Sequence, residues 1–298
     1  MEIPLRNVLL IRCLIVCAGL SVATGIAAIP NRRSTASRDD ATKTERWTLV
    51  WSDEFDGPEG SLPDAKKWKS EIGGNGWGNN ELEYYTNRAA NASVRHGQLE
   101  IQARREEYAG AEPGKAFHYT SARLSTQGNF AQAYGRFVAR IKIPRGQGIW
   151  PAFWLLGDDI KKTEWPACGE IDVMENIGKE PYIVHGSLHG PGYSGDQGFT
   201  SILKLPGGAK FSDEFHLFAI EWEPGVVRFY VDDEQYATFK PSQLPKGMRW
   251  VFDHPFFILL NVAVGGDWPG SPDSSTEFPQ KMLVDYVRVY KSSSAPQN

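Results

Sequence analysis

Stretches in which apolar and polar residues alternate one for one recur along this chain, and that period belongs to β-strands, whose successive side chains point to opposite faces. Arg136 to Ile143 (RFVARIKI) sets Phe137, Ala139, Ile141 and Ile143 against Arg136, Val138, Arg140 and Lys142. Phe218 to Trp222 and Val226 to Val231 flank Glu223, Pro224 and Gly225, whose turn chemistry predicts a hairpin, and Asp232 with Asp233 predicts a second. Phe256 to Val264 reads as a buried strand and Val284 to Tyr290 (VDYVRVY) as a closing one. No helix-length amphipathic stretch and no internal repeat compete with these. Many short strands with turn signals throughout predict an all-β domain, a two-sheet sandwich or jelly roll. A curved sheet of that kind offers a concave cleft long enough for a polymer.

The chain has 298 residues, of which about the first 45 do not read as a folded domain. Arg6 and Arg12 precede an uncharged apolar run, Cys13 to Ile29, followed by Pro30. That run reads as a secretory signal peptide over 1–28, being short for a membrane span of roughly 20 residues. Cleavage would leave a polar, disordered leader over 29–46, a catalytic-size domain over 47–292 and a short tail over 293–298. The expected location is secreted, extracellular or periplasmic, with no membrane attachment once the signal is removed. Cys13 and Cys17 would leave with the signal, so Cys168 would remain as a buried thiol without a disulfide partner. A monomer is the expected working unit.

A formal net charge of -4 without any block of like charge argues against nucleic acid, which needs clustered Lys and Arg. Ten Trp, 11 Tyr and 15 Phe fit a neutral, hydroxyl-rich ligand better, since sugar faces stack on aromatic rings.

Three carboxylates fall within six residues of Gly169 to Gly178 (GEIDVMENIG): Glu170, Asp172 and Glu175. On a regular strand Glu170 and Asp172 share a face, whereas Glu175 points to the other. A β-bulge near Val173 or Met174 would return Glu175 to the shared face. Retaining glycosidases need two carboxyl groups about 5–5.5 Å apart, one to attack the anomeric carbon and one to protonate the leaving oxygen. Three clustered acids cannot all ionise cheaply, and Asp172, in the middle, is best placed to share a proton. The competing reading is a strand face of simply solvated acids.

GEIDVMENIG resembles the active-site signature of glycoside hydrolase family 16 in its bulged E-I-D-x-x-E form, the laminarinase type. The resemblance extends over roughly Trp47 to Lys291 and implies a concanavalin-like β-jelly-roll sandwich. It implies Glu170 as nucleophile, Asp172 as its assisting acid and Glu175 as acid/base. The implied activity is retaining endo-hydrolysis of β-1,3-glucan, with mixed-linkage β-1,3-1,4-glucan as a second substrate. Two other functions share the fold: a sugar-binding module without chemistry, and a transglycosylase.

Trp150 to Leu156 (WPAFWLL) alternates so that Trp150 and Trp154 share one face, where they would floor a cleft. The resemblance places this segment on the glycone side. Gly76 to Thr86 (GWGNNELEYYT) resembles the family's substrate loop, with Asn80 and Tyr84 as candidate ligands; Asn79 and Glu81 have a second reading as caps of the turn. The resemblance further aims Arg123 at the cleft, directs a hydrogen bond from His189 toward the acid/base, and leaves Trp268 to stack a sugar on the aglycone side. His185 reads as structural. Hydrolysis needs no cofactor, but relatives of this type often carry structural calcium, which here would take the backbone oxygens of Glu54 and Gly97 and the side chain of Asp285.

Overall fold

A computed structural model describes residues 46–111 and 114–293. The expected signal segment 1–28, the leader up to residue 45 and the tail from 294 lie outside these residues. Seventeen strands carry the described chain. The first eight are β1 (Trp47–Asp53), β2 (Lys69–Glu71), β3 (Glu83–Tyr85), β4 (Ala92–Arg95), β5 (Gln98–Tyr108), β6 (Phe117–Ser121), β7 (Arg123–Ser125) and β8 (Gly135–Lys142). There follow β9 (Ile149–Gly157), β10 (Glu170–Glu175), β11 (Ile183–His189), β12 (Phe199–Lys204), β13 (His216–Glu223), β14 (Val226–Val231), β15 (Glu234–Phe239), β16 (Phe256–Val264) and β17 (Gln280–Ser292).

The strands form two layers. A ten-stranded sheet runs β15-β14-β13-β8-β17-β5-β6-β3, with β1 on β17 and β4 on β5; a seven-stranded sheet runs β12-β11-β10-β9-β16-β7-β2. This is the predicted all-β sandwich. Its core lies between the sheets: Phe137, Ala139 and Ile141 of β8 and Phe218, Ile220 and Trp222 of β13 meet Phe153 and Leu155 of β9 and Ile258, Leu260 and Val262 of β16. Each fully buried Phe, Leu or Ile among them contributes about 1.5–3 kcal/mol.

The alternation of β8 holds on its core face but fails on the other, where Val138 and Arg136 are buried too. The reason is pairing: Arg136 is met by Glu221 at 3.2 Å and by Asp233 at 3.0 Å, which satisfies its charge under cover. Both predicted hairpins form. β14 and β15 join through Asp232 and Asp233, both at positive φ (49° and 69°), the type I′ geometry whose twist matches paired strands. Among the described residues no helix is long and apolar enough to cross a membrane.

Candidate active site

The acids occupy the open face of the seven-stranded sheet, and the bulge is what gathers them. Against β9, Glu170 pairs with Leu156, Ile171 with Leu155 and Asp172 with Trp154; the register then slips, so that Met174 pairs with Phe153 and Glu175 with Ala152. Leu156, Trp154 and Ala152 alternate regularly and share one face, so Glu170, Asp172 and Glu175 share it as well. Val173 is the residue in excess. Ile171, Val173 and Met174 fill the core behind, each no more than 1% exposed. Gly169 leads into the strand at φ 75°, and a Cβ there would stand 2.8 Å from the Phe256 ring.

Each acid has a distinct set of partners. The indole N–H of Trp165 donates to Glu170 Oε2 at 2.8 Å, and that of Trp150 donates to Glu175 Oε1 at 3.0 Å. His189 of β11, paired with Glu170 of β10, places Nε2 2.9 Å from Asp172 Oδ2 and 3.9 Å from Glu170 Oε1. Burial pushes the Glu170 carboxyl up to about 8, with the Asp172 charge adding to it while His189 and the Trp165 hydrogen bond oppose it. Burial likewise carries Asp172 to about 7, held back by its hydrogen bond with Glu170. Glu175 is driven well above the usual carboxylate range, by burial first and then by the charge of Asp172. Burial and mutual repulsion therefore favour protonated over fully ionised forms of the cluster near neutral pH.

Around the acids lies a cleft of about 370 Å³ floored by Trp150, Ala152, Trp154 and Leu156 and walled by Trp77, Asn79, Glu81, Arg123, Trp165 and Asn261. Arg123 stands over the rings of Trp77 and Trp154, at 4.6 and 4.7 Å, and pairs with Glu71. A relay fixes the floor from beneath. Trp154 donates to Asn261 Oδ1 (2.8 Å), Asn261 to the Tyr85 hydroxyl (3.1 Å), and Tyr85 to Glu81 Oε2 (3.0 Å), while Asn79 donates to Glu81 Oε1 (3.1 Å). These relay groups satisfy one another, which fixes the orientation of Trp154 and Glu81.

Several expectations change. Tyr84 does not face the cleft: it is 3% exposed, packed on Tyr108 and Phe117, because β3 joins the ten-stranded sheet beside β6. Asn80, at φ 55°, turns its amide to both carboxylate oxygens of Asp267, and it is Asn79 and Glu81 that line the cleft. His189 reaches Asp172 and Glu170, which face it across the strands; the histidine paired with Glu175 is His185. Trp268, 37% exposed, sets its ring edge-on to Trp150 (5.4 Å) and His185 (4.8 Å) at the cleft rim. Trp165, Trp77, Asn261 and Tyr85 escaped the sequence reading as site residues. Cys168 is fully buried, and burial pushes its thiol up to about 11, so it stays protonated.

The expected calcium ligands do come to one corner. β17 pairs Val284 with Leu99 and Val287 with Asp53, which sets Asp285 near Gly97, just before β5, and Glu54, just after β1. The charges there do not fit a dication. Asp285 Oδ2, the one side-chain ligand expected, is held by Arg140 at 2.8 Å, and Arg288, bound to the Glu54 carboxylate at 2.9 and 2.8 Å, sets a second cation at the corner.

Two glutamates on one face of a strand, over a tryptophan-floored groove of a β-sandwich, are the arrangement expected of a carbohydrate-cleaving site. The chain belongs to glycosyl hydrolases family 16, whose pattern it matches over residues 78–288. It is 45% identical to the beta-glucanase of Rhodothermus marinus over 283 residues, 91% of this chain and 92% of the relative. The catalytic domain of an endo-1,3-beta-glucanase (laminarinase) from Thermotoga petrophila RKU-1 superposes with a TM-score of 0.79 at 48% identity, covering 84% of this chain and 100% of that one. An endo-beta-1,3-glucanase from Pyrococcus furiosus does so with a TM-score of 0.79 at 47% identity, over 84% and 96%.

Proposed function

We propose that the protein hydrolyses β-1,3-glucan by double displacement, with Glu170 as nucleophile, Glu175 as acid/base and Asp172 as the group that takes up and returns the proton shared with Glu170. That the enzyme is a glycoside hydrolase of the endo-1,3-β-glucanase type follows from its family and its relatives. The observation that carries the roles is the register slip at Val173, which turns Glu170 and Glu175 to the same side of one strand.

In the first step the Glu170 carboxylate attacks the anomeric carbon as the glycosidic C–O bond breaks, and the Glu175 proton passes to the departing oxygen. In the second, Glu175 removes a proton from water, whose oxygen displaces Glu170 and restores both groups. Two inversions give net retention. Trp165 and His189 favour the Glu170 anion, and the buried setting of Glu175 keeps it protonated for donation. Trp154, Trp77 and Arg123 form the glycone side, where sugar faces meet rings and hydroxyls meet the guanidinium and the Asn79 amide.

Mixed-linkage β-1,3-1,4-glucan is proposed as a second substrate, supported by 38% identity to a solved non-specific endo-beta-1,3(4)-glucanase of family 16. Secretion is proposed from the apolar run Cys13 to Ile29. The test is reducing-end release from laminarin, lichenan, curdlan and agarose by the wild type and by Glu170→Gln. Laminarin is expected to be cut by the wild type alone; exclusive cleavage of agarose, or undiminished laminarin cleavage by Glu170→Gln, would overturn the reading.

A further inference from the structure

The face that bears the acids continues beyond the cleft. Glu175 pairs with His185 of β11, and His185 with Ile202 of β12; Asp172 pairs with Ser187, and Ser187 with Thr200. Paired residues share a face, so Glu175, His185 and Ile202 form one row across three strands. Two strand spacings of about 4.8 Å set Ile202 roughly 10 Å from Glu175. Thr200, Ile202 and Lys204 are all exposed, and Ile202, at 53%, is among the most exposed large apolar residues described. An isoleucine this open on an edge strand has no packing role on that side.

Along the strands, the face is closed toward the His189 end of β11. The loop after β11 returns against His189, so that a Cβ on Gly198 would lie 2.4 Å from its ring. The other end is open, and there a second concavity is lined by Tyr182, Lys204, Leu205, Pro206, Gly207 and Gly208. Lys204 Nζ stands 5.1 Å from the centre of the Tyr182 ring. Gly207 and Gly208 lie at positive φ, with free space where a Cβ would be. The surface thus offers an apolar ledge, a ring with a cationic donor beside it, and a loop low enough for close approach.

Resting on the proposed glucanase reading, we propose that β12 and its following loop bind the leaving-group side of the same glucan chain as a remote subsite. The glycone side is taken by Trp154, Arg123 and the Trp77 loop, which leaves β11 and β12 for the aglycone. A sugar face lies on Ile202 past the Trp268–His185 rim, and the next residue meets the Tyr182 ring while Lys204 donates to its hydroxyls. The ligand is a neutral β-glucan chain that extends several units beyond the scissile bond.

The test compares kcat/KM on short laminari-oligosaccharides, which cannot reach beyond the first leaving-side sugar, with that on long ones. The variants are Tyr182→Ala, Lys204→Ala and Ile202→Ser. All three side chains lie outside the catalytic cluster, and Lys204→Ala alters only an exposed position. The wild type is expected to favour long chains, and each variant to lose about fivefold or more of that preference while short-chain rates stay unchanged, the size of one lost sugar contact. Unchanged preference in all three variants overturns the subsite, as does a proportional loss on both lengths. Loss of all wild-type laminarin cleavage would instead count against the glucanase reading.

Discussion

Glu170 faces Leu156 and Glu175 faces Ala152, so five steps along β10 are matched by four along β9. The extra residue is Val173, buried behind the acids at 1% exposure. Deleting it restores a regular pairing in which Glu175 stands four positions from Glu170, so all three acids keep their shared face. Glu175→Ala is expected to lower laminarin hydrolysis about 10²–10⁴-fold, the share of general acid catalysis, whereas the deletion variant, which keeps Glu175 on the acid face, should retain far more activity than Glu175→Ala. The sharper measurement uses an aryl β-glucan oligosaccharide with a nitrophenol leaving group, whose departure needs no proton. Glu175→Ala should then recover most of its first-step rate, and an equal loss on both substrates would count against its role as acid.

The pH profile of kcat/KM reports the same cluster. Activity requires Glu170 ionised and Glu175 protonated, so the acidic limb should lie near neutrality, where burial has placed Glu170 at about 8 and Asp172 at about 7. The charge of Asp172 raises both glutamates. Asp172→Asn is therefore expected to move both limbs to lower pH. Trp165→Phe removes a hydrogen bond that favours the Glu170 anion, so it should move the acidic limb the other way, to higher pH. Shifts of the same sign in the two variants would contradict this account of the electrostatics.

Stability should follow in the opposite sense to that of an ordinary ion-paired carboxylate. Glu170 is raised from 4.5 to about 8, so between those values the folded state binds a proton that the unfolded chain has released. Native stability from this group is fully present below about pH 4.5 and is lost as pH rises toward 8. Glu170→Gln removes the penalty. Its Tm should exceed that of the wild type by roughly 3–10 °C at pH 8, with the gap closing near pH 4.5. A constant gap across that range would mean that Glu170 does not titrate as described.

Much of this site was legible because strand parity is strict. Glu170, Asp172 and Glu175 could act together only through a bulge, and the bulge lies where parity demanded it. Trp150 and Trp154 were readable for the same reason, since alternation with Phe153 and Leu155 fixed their face. Loops carry no such period. Trp165 comes from the loop before β10, and nothing in TEWPAC marks it as the donor to Glu170. Tyr84 and Asn80 failed in another way: a glycine- and amide-rich segment read as one gripping loop, whereas its second half is a buried strand beside β6 and its turn directs Asn79 inward in place of Asn80. Strand order brings Glu54, Gly97 and Asp285 to one corner, but the ion pairs there were not legible, because Arg140 and Arg288 are distant in sequence from the acids they bind.

The claim on which the account turns is that Glu170 forms a covalent bond to sugar. Incubation with a 2-deoxy-2-fluoro β-1,3-gluco-oligosaccharyl fluoride, which slows the second step more than the first, followed by peptide mass mapping, tests it directly. The account predicts a single glycosyl adduct, placed by fragmentation on Glu170 and absent from Glu170→Gln. An adduct on Asp172 or Glu175, or steady turnover of laminarin with no trapped ester and inverted first products, would contradict it.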